Sequence, residues 1–259
     1  MSESKPPQPP ELPASAAEPL PSLAEQIVEL SALTGGLAHE IRNPLSTMKV
    51  NLQLLDEDWR QVESADEDRL CDPTEIARRS RGRIANLLDE ANHLERILQE
   101  FMQCVGKREL RRSPVDLNQL VGDLVDFYRP QAEAHDIVLR LAASKEPLTV
   151  KVDQNVLKQA LLNLLINAQQ AMPEGGEVYV HLTQHSGTVA RIDVIDCGPG
   201  IPESQRERIF QAYYSTKKGG SGLGLATTRQ IIREHGGRIH LHSEPPQGSC
   251  FTILLPRSS

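Results

Sequence analysis

Large apolar residues recur at alternating steps of three and four along two stretches of this chain. The first runs through Leu30, Leu33, Leu37, Ile41, Leu45, Met48, Leu52 and Leu55, the second through Ile84, Leu87, Ala91, Leu94, Leu98, Phe101 and Val105. Such steps keep one apolar seam on one face of a long helix. The first stretch predicts a rod from about Ser22 to Trp59, roughly 50 Å long at the helical rise per residue. The second predicts a helix that starts at Pro73 to Glu75, with Asp72 as its cap, and runs to about Val105. Joined by the polar interval Arg60 to Asp72, the two make an antiparallel hairpin. One hairpin buries only one stripe, so a four-helix bundle built from two copies is expected, and the chain is read as a homodimer.

The first rod carries an unusual interruption. His39 is followed by Pro44 and preceded by Gly35 and Gly36. A helix-interior proline costs about 3 kcal/mol and a glycine roughly 1 kcal/mol relative to alanine, so the rod is softened on both sides of its histidine. His39 lies two positions from Leu37 and from Ile41, about 200° around the helix from the seam, and is expected to face solvent. It is not half of the zinc pattern H-E-x-x-H, because Asn43 stands where the second ligand would be required.

The remainder divides by composition. Residues 1–22 hold seven prolines and read as an extended, solvated tail. Residues 23–110 are assigned to the helical domain and 111–259 to a second domain, with the basic junction Lys107 to Ser113, closed by Pro114, at the boundary. Beyond it the pattern predicts helices over about Asp116 to Ala134, Gln154 to Ala171 and Leu223 to His235. Short apolar runs are expected as strands at Ile137 to Ala142, Leu148 to Val152, Glu177 to Thr183, Val189 to Ile195, Arg238 to His242 and Ser249 to Leu255. Helices and strands mix without strict alternation, which indicates a two-layer α/β sandwich rather than a doubly wound sheet. A net charge of −7 argues against direct nucleic-acid binding. No apolar run is long enough to span a membrane. Four cysteines without a C-x-x-C pair fit reduced thiols and a cytoplasmic location.

Three stretches of the second domain carry chemistry. Asn163 and Asn167 are four apart on one helix face, and an amide oxygen is a hard, neutral ligand able to complete a Mg²⁺ shell beside phosphate oxygens. Asp196, with Gly198 and Gly200, follows an apolar strand. The glycines admit a flat ring closely, and the carboxylate can accept a hydrogen bond from an exocyclic amine such as that of adenine. Gly219 to Leu225 opens a helix, where backbone N–H groups form an anion site, and Lys217 just before it supplies a cation. No Walker loop occurs.

In this order and spacing the stretches resemble a sensor histidine kinase of two-component signalling. His39 to Leu45 is similar to the family's H box, Asn163 to Ala168 to its N box and Asp196 to Pro202 to its G1 box. Ile209 to Lys217 matches the F box and Gly220 to Gly224 the G2 box. The wording around His39 and in Ser215 Thr216 Lys217 is closest to the nitrogen-regulation type. The resemblance implies a dimerisation and histidine-phosphotransfer hairpin followed by an ATP-binding domain of the Bergerat, or GHKL, fold.

It also implies roles. His39 would take the γ-phosphoryl group of ATP, Glu40 would act beside it as acid-base and orienting group, and Asn43 would help to position water during dephosphorylation of a partner. Asn167 would coordinate Mg²⁺ with support from Asn163. Asp196 would read the adenine amine in a pocket shaped by Gly198, Gly200 and Ile201. Lys217, Gly220, Gly222, Leu223 and Gly224 would hold the nucleotide beneath a mobile lid from about Pro202 to Gly220. The hydrolytic relatives carry a glutamate one turn before the metal-binding asparagine; Asn163 stands there instead, which leaves the phosphoryl group for His39. Departures from the pattern are Cys197 in the G1 box, Tyr213 and Tyr214 in the F box, and Gln170 at a position that is often basic. The implied activity is autophosphorylation of His39 followed by transfer to an aspartate on the receiver domain of a separate response regulator. The alternative is an ATP-binding scaffold that acts by docking or as a phosphatase.

Overall fold

A computed structural model describes residues 23–63, 73–105, 109–217 and 221–258. The Pro-rich tail, Asp72, Lys107, Gly219 and Gly220 lie outside the described residues, as do the side chains of Leu30, Leu33 and Val105. The chain divides into two compact units, with the division after Val105.

The first unit is a pair of helices, α1 (Leu23–Glu63) and α2 (Pro73–Val105). Helix α1 passes through Pro44 without a break, and Pro44 itself is buried. The two seams expected to be buried are split. Leu37, Ile41, Met48 and Leu55 of α1 and Leu87, Leu94 and Phe101 of α2 are half-buried. Leu45 and Leu52 remain 50% and 53% exposed, and Ile84 and Leu98 remain 47% and 52% exposed. Among the described residues of α2 the apolar side chain fully enclosed is Ile97, which stands one position off the expected seam. Each apolar face is therefore wider than a single helix partner can cover, and this is the physical reason for the difference. Between the helices Arg83 pairs with the buried Asp58 and also donates to the Leu54 carbonyl.

The second unit contains β1 (Ser113–Asp116), α3 (Leu117–Glu133), β2 (Ile137–Ala142), β3 (Thr149–Val152), α4 (Gln154–Ala171), β4 (Gly176–Ser186), β5 (Val189–Asp196), α5 (Gly224–Glu234), β6 (Arg238–Ser243) and β7 (Ser249–Pro256). Short 3-10 turns at Glu203–Gln205 and Arg208–Phe210 interrupt the segment between β5 and α5. Five strands form a sheet in the order β2-β4-β5-β7-β6, parallel only between β2 and β4. Helices α3, α4 and α5 pack on one face, so the two-layer α/β sandwich is observed. Ser113 and Pro114, expected to end a junction, instead belong to β1, which pairs antiparallel with β3. A four-residue strand containing proline has no period of its own; its partner strand makes it one.

Helix α4 shows how the sequence places the site. Asp153 caps it by accepting from the N–H groups of Asn155 and Val156 at 3.1 and 3.3 Å. Its buried stripe is Leu157, Ala160, Leu161, Leu164, Leu165 and Ala168, at helical spacing. That stripe fixes the helix against the sheet and leaves Asn163 and Asn167 half-buried on its flank. Among the described residues no helix is long and apolar enough to cross a membrane.

Candidate functional site

His39 is exposed on α1, while Glu40 is half-buried and Asn43 is exposed. Pro44 has no N–H, so the Glu40 carbonyl loses its normal helical donor one turn on from the histidine. The next turn is tied by side chains: Ser46 Oγ donates to the Arg42 carbonyl at 2.8 Å and Thr47 Oγ1 to the Asn43 carbonyl at 3.3 Å. Such back-bonds compete with the regular ladder and often accompany bending.

In the second unit, Asp196 ends β5 with 4% of its surface exposed. Burial pushes its carboxyl above the usual carboxylate range, opposed by the N–H groups of Gly198 and Ser249 and by the charge of Lys217. The Gly198 N–H reaches Oδ1 at 2.9 Å. A side chain at Gly198 would lie 3.2 Å from the Ala171 Cβ, so the loop after β5 sits against the last turn of α4. Gly200 has φ +75°, and the Ile201 N–H donates to Ser243 Oγ at 2.7 Å. Sequence reasoning missed Gly248, where a Cβ would stand 2.0 Å from the Asp196 carbonyl oxygen. Only glycine lets the β6–β7 turn pass there, and its place in the Pro245 Pro246 Gln247 Gly248 run was the available signal.

The asparagines meet the phosphate-binding candidates directly. Asn163 Nδ2 donates to the Gly224 carbonyl at 3.3 Å, joining α4 to the first residue of α5. Lys217 Nζ donates to the Asn167 carbonyl at 3.3 Å, lies 3.5 Å from Asn167 Oδ1, and donates to Gln170 Oε1 at 3.0 Å. Its side chain reaches solvent, yet the atoms packed around it lower its ammonium pKa while Asp196 raises it. Leu223 is fully buried just before α5, and nothing stands within 4 Å of the place where a Cβ on Gly224 would be. Gly222, at φ +68°, approaches Tyr213 so closely that a Cβ would fall 2.6 Å from its carbonyl carbon. The Arg208 guanidinium lies 4.5 Å over the Tyr214 ring. Asn163, Asn167, Asp196, Lys217, Gly222, Leu223 and Gly224 thus form one linked cluster, with Gly198, Gly200 and Ile201 beside Asp196. His39, Glu40 and Asn43 lie on the other unit, and Gly220 lies outside the described residues.

Among the described residues no group of three or more His, Cys, Asp or Glu side chains could hold a metal alone. A neutral amide oxygen on Asn167 suits Mg²⁺ that arrives already bound to phosphate oxygens, and a cationic Lys217 beside it shows that the position tolerates positive charge.

The profile of the histidine kinase-, DNA gyrase B- and HSP90-like ATPase family matches residues 152–259, and that of the His Kinase A (phospho-acceptor) domain matches residues 29–100. The chain is 34% identical over 232 residues to sensor histidine kinase ZraS of Escherichia coli K12, covering 90% of this chain and 46% of that protein. It is 33% identical over 235 residues to sporulation kinase A of Bacillus subtilis, covering 90% of this chain and 36% of that one. The chain therefore spans between about a third and a half of the length of such curated relatives. Among solved structures, a mycobacterial sensor histidine kinase, MprB, is 32% identical over 56% of this chain and 97% of its own, with TM-score 0.51. Histidine kinase ThkA, solved in complex with response regulator protein TrrA, is 27% identical over 91% of this chain and 64% of its own, with TM-score 0.68.

Proposed function

Because the chain belongs to the sensor histidine kinases of two-component signalling, we propose that it transfers the γ-phosphoryl group of ATP to His39 and then to an aspartate on the receiver domain of a separate response regulator. The observation that carries this reading is the run of contacts from Asn163 at the opening of α5 to Asn167 and Lys217, whose charge acts on the buried Asp196, together with an exposed histidine on a helix that contains proline. In the first step the β–γ phosphoanhydride bond breaks, a nitrogen–phosphorus bond forms on the imidazole, and ADP leaves. In the second, that bond breaks and an acyl phosphate forms on the acceptor.

Each residue has a role in this scheme. Asp196 receives the adenine amine, and Gly198, Gly200 and Ile201 shape the pocket around the ring. The N–H groups at Gly222 to Gly224 face the phosphates, which the helix dipole of α5 favours. Asn167 would hold Mg²⁺ arriving with the nucleotide, and the ion would supply positive charge against the negative charge developing on the phosphates. Asn163 offers no carboxylate to activate water. Glu40 assists proton movement at His39, and Asn43 positions water when a phosphorylated partner is dephosphorylated. Catalysis in this scheme is a matter of positioning and charge stabilisation.

Two partners complete the reading. The open seam at Leu45, Leu52, Ile84 and Leu98 supports a second copy of the chain. ThkA, a relative solved with its response regulator, supports a receiver domain as acceptor. We place the chain in the cytoplasm, where ATP and reduced thiols are found. The test is to label the full chain with γ-radioactive ATP and Mg²⁺, remove nucleotide, and add a receiver domain from the same genome. Label passes from chain to receiver and is then released; nucleotide binding without labelled chain would instead identify a scaffold.

A further inference from the structure

After Lys158, helix α4 carries no charged side chain. The positive charge beside its asparagines comes from outside it, from Lys217, whose ammonium meets three oxygens of α4: the carbonyl and Oδ1 of Asn167, and Oε1 of Gln170 at 3.0 Å. All three acceptors are neutral. At a solvent-reaching position such contacts add little to stability, so what they fix is location. An amide oxygen holds an ammonium without cancelling its charge. A carboxylate at 170 would neutralise it, and a second ammonium would expel it. Of the side chains that reach this place, glutamine leaves the cation both held and fully charged.

We propose that Gln170 is a positioning residue that holds Lys217 beside Asn167, so that the site presents one localised positive charge to the polyphosphate of an incoming nucleotide. The proposal rests on the ATP-binding reading above and adds to it that the charge belongs to the Gln170–Lys217 pair. The residues can therefore exchange roles: a lysine at 170 and a glutamine at 217 would place an ammonium and its amide acceptor in the same space.

The experiment measures binding of trinitrophenyl-ATP with Mg²⁺ to the full chain by fluorescence. Lys217→Gln and Gln170→Glu should each weaken binding about tenfold, the scale of one charge-assisted hydrogen bond to an anion. The exchange variant Gln170→Lys with Lys217→Gln should recover to within about threefold of the wild type, because the two substitutions couple. A second readout needs no nucleotide. In Gln170→Lys alone two ammoniums oppose each other, so chymotrypsin should cut at Tyr213 and Tyr214 several-fold faster than in the wild type, and the exchange variant should return to the wild-type rate. An exchange variant no better than Lys217→Gln, or unchanged cleavage of Gln170→Lys, overturns the proposal while leaving the ATP reading intact. Failure of the wild type to bind the nucleotide overturns both.

Discussion

At Asp196 the fold encloses a carboxyl that water would solvate better, and burial raises its pKa from the ordinary value despite two backbone N–H donors. For an acid the sign follows directly. A raised folded-state pKa means that the native state keeps its proton where the unfolded chain has lost it. Stability therefore falls as pH rises from the ordinary carboxylate range through the raised value, and the cost is fully present above it. Asp196→Asn should then melt no lower than the wild type at neutral pH and lose that part of the pH dependence, while losing nucleotide binding. A variant that melts several degrees lower at neutral pH would show the carboxylate to be structural. The residue itself was legible, as a carboxylate closing an apolar strand ahead of two glycines. Its enclosure was not, because that depends on Gly248, which leads from the β6–β7 turn into the neighbouring strand and passes against the Asp196 carbonyl.

Elements with a period of their own were legible, and those without were not. The six apolar residues of α4 repeat at helical spacing and fix its bounds in the sequence, whereas β1 exists only through its pairing with β3. The helical seams were legible as faces, but their division between a covered and an open half depends on where the neighbouring helix lies. Strand β5 carries a further device that periodicity does not reveal. Its helix-facing residues Ala190, Ile192 and Val194 join the main core, while on its opposite face Arg191 Nε contacts both oxygens of the fully buried Asp193, at 2.9 and 2.8 Å. Arg191→Met removes the charge partner of that carboxylate, which keeps the Thr252 hydroxyl as a donor, and should cost about 3–5 kcal/mol in chemical denaturation. Adding Asp193→Leu to it should restore most of the loss. If the double variant is less stable than the single one, the pair is not the source of the effect.

On the proposed reading, the two units divide the work: one presents an imidazole, the other binds the nucleotide. On the same reading, the open stripe of Leu45 and Leu52 on α1 is where a second copy packs. Leu45→Glu with Leu52→Glu should convert a dimer in sedimentation analysis to a monomer that keeps its helix content. A monomeric wild type at micromolar concentration would contradict the bundle. His39 is the proposed first landing place of the phosphoryl group. The direct measurement is incorporation of radioactive phosphate from γ-labelled ATP into the full chain, followed by treatment with acid or base, with His39→Gln in parallel. Label should survive base, be lost in acid and be absent from His39→Gln; undiminished labelling of that variant would place the first phosphoryl transfer elsewhere.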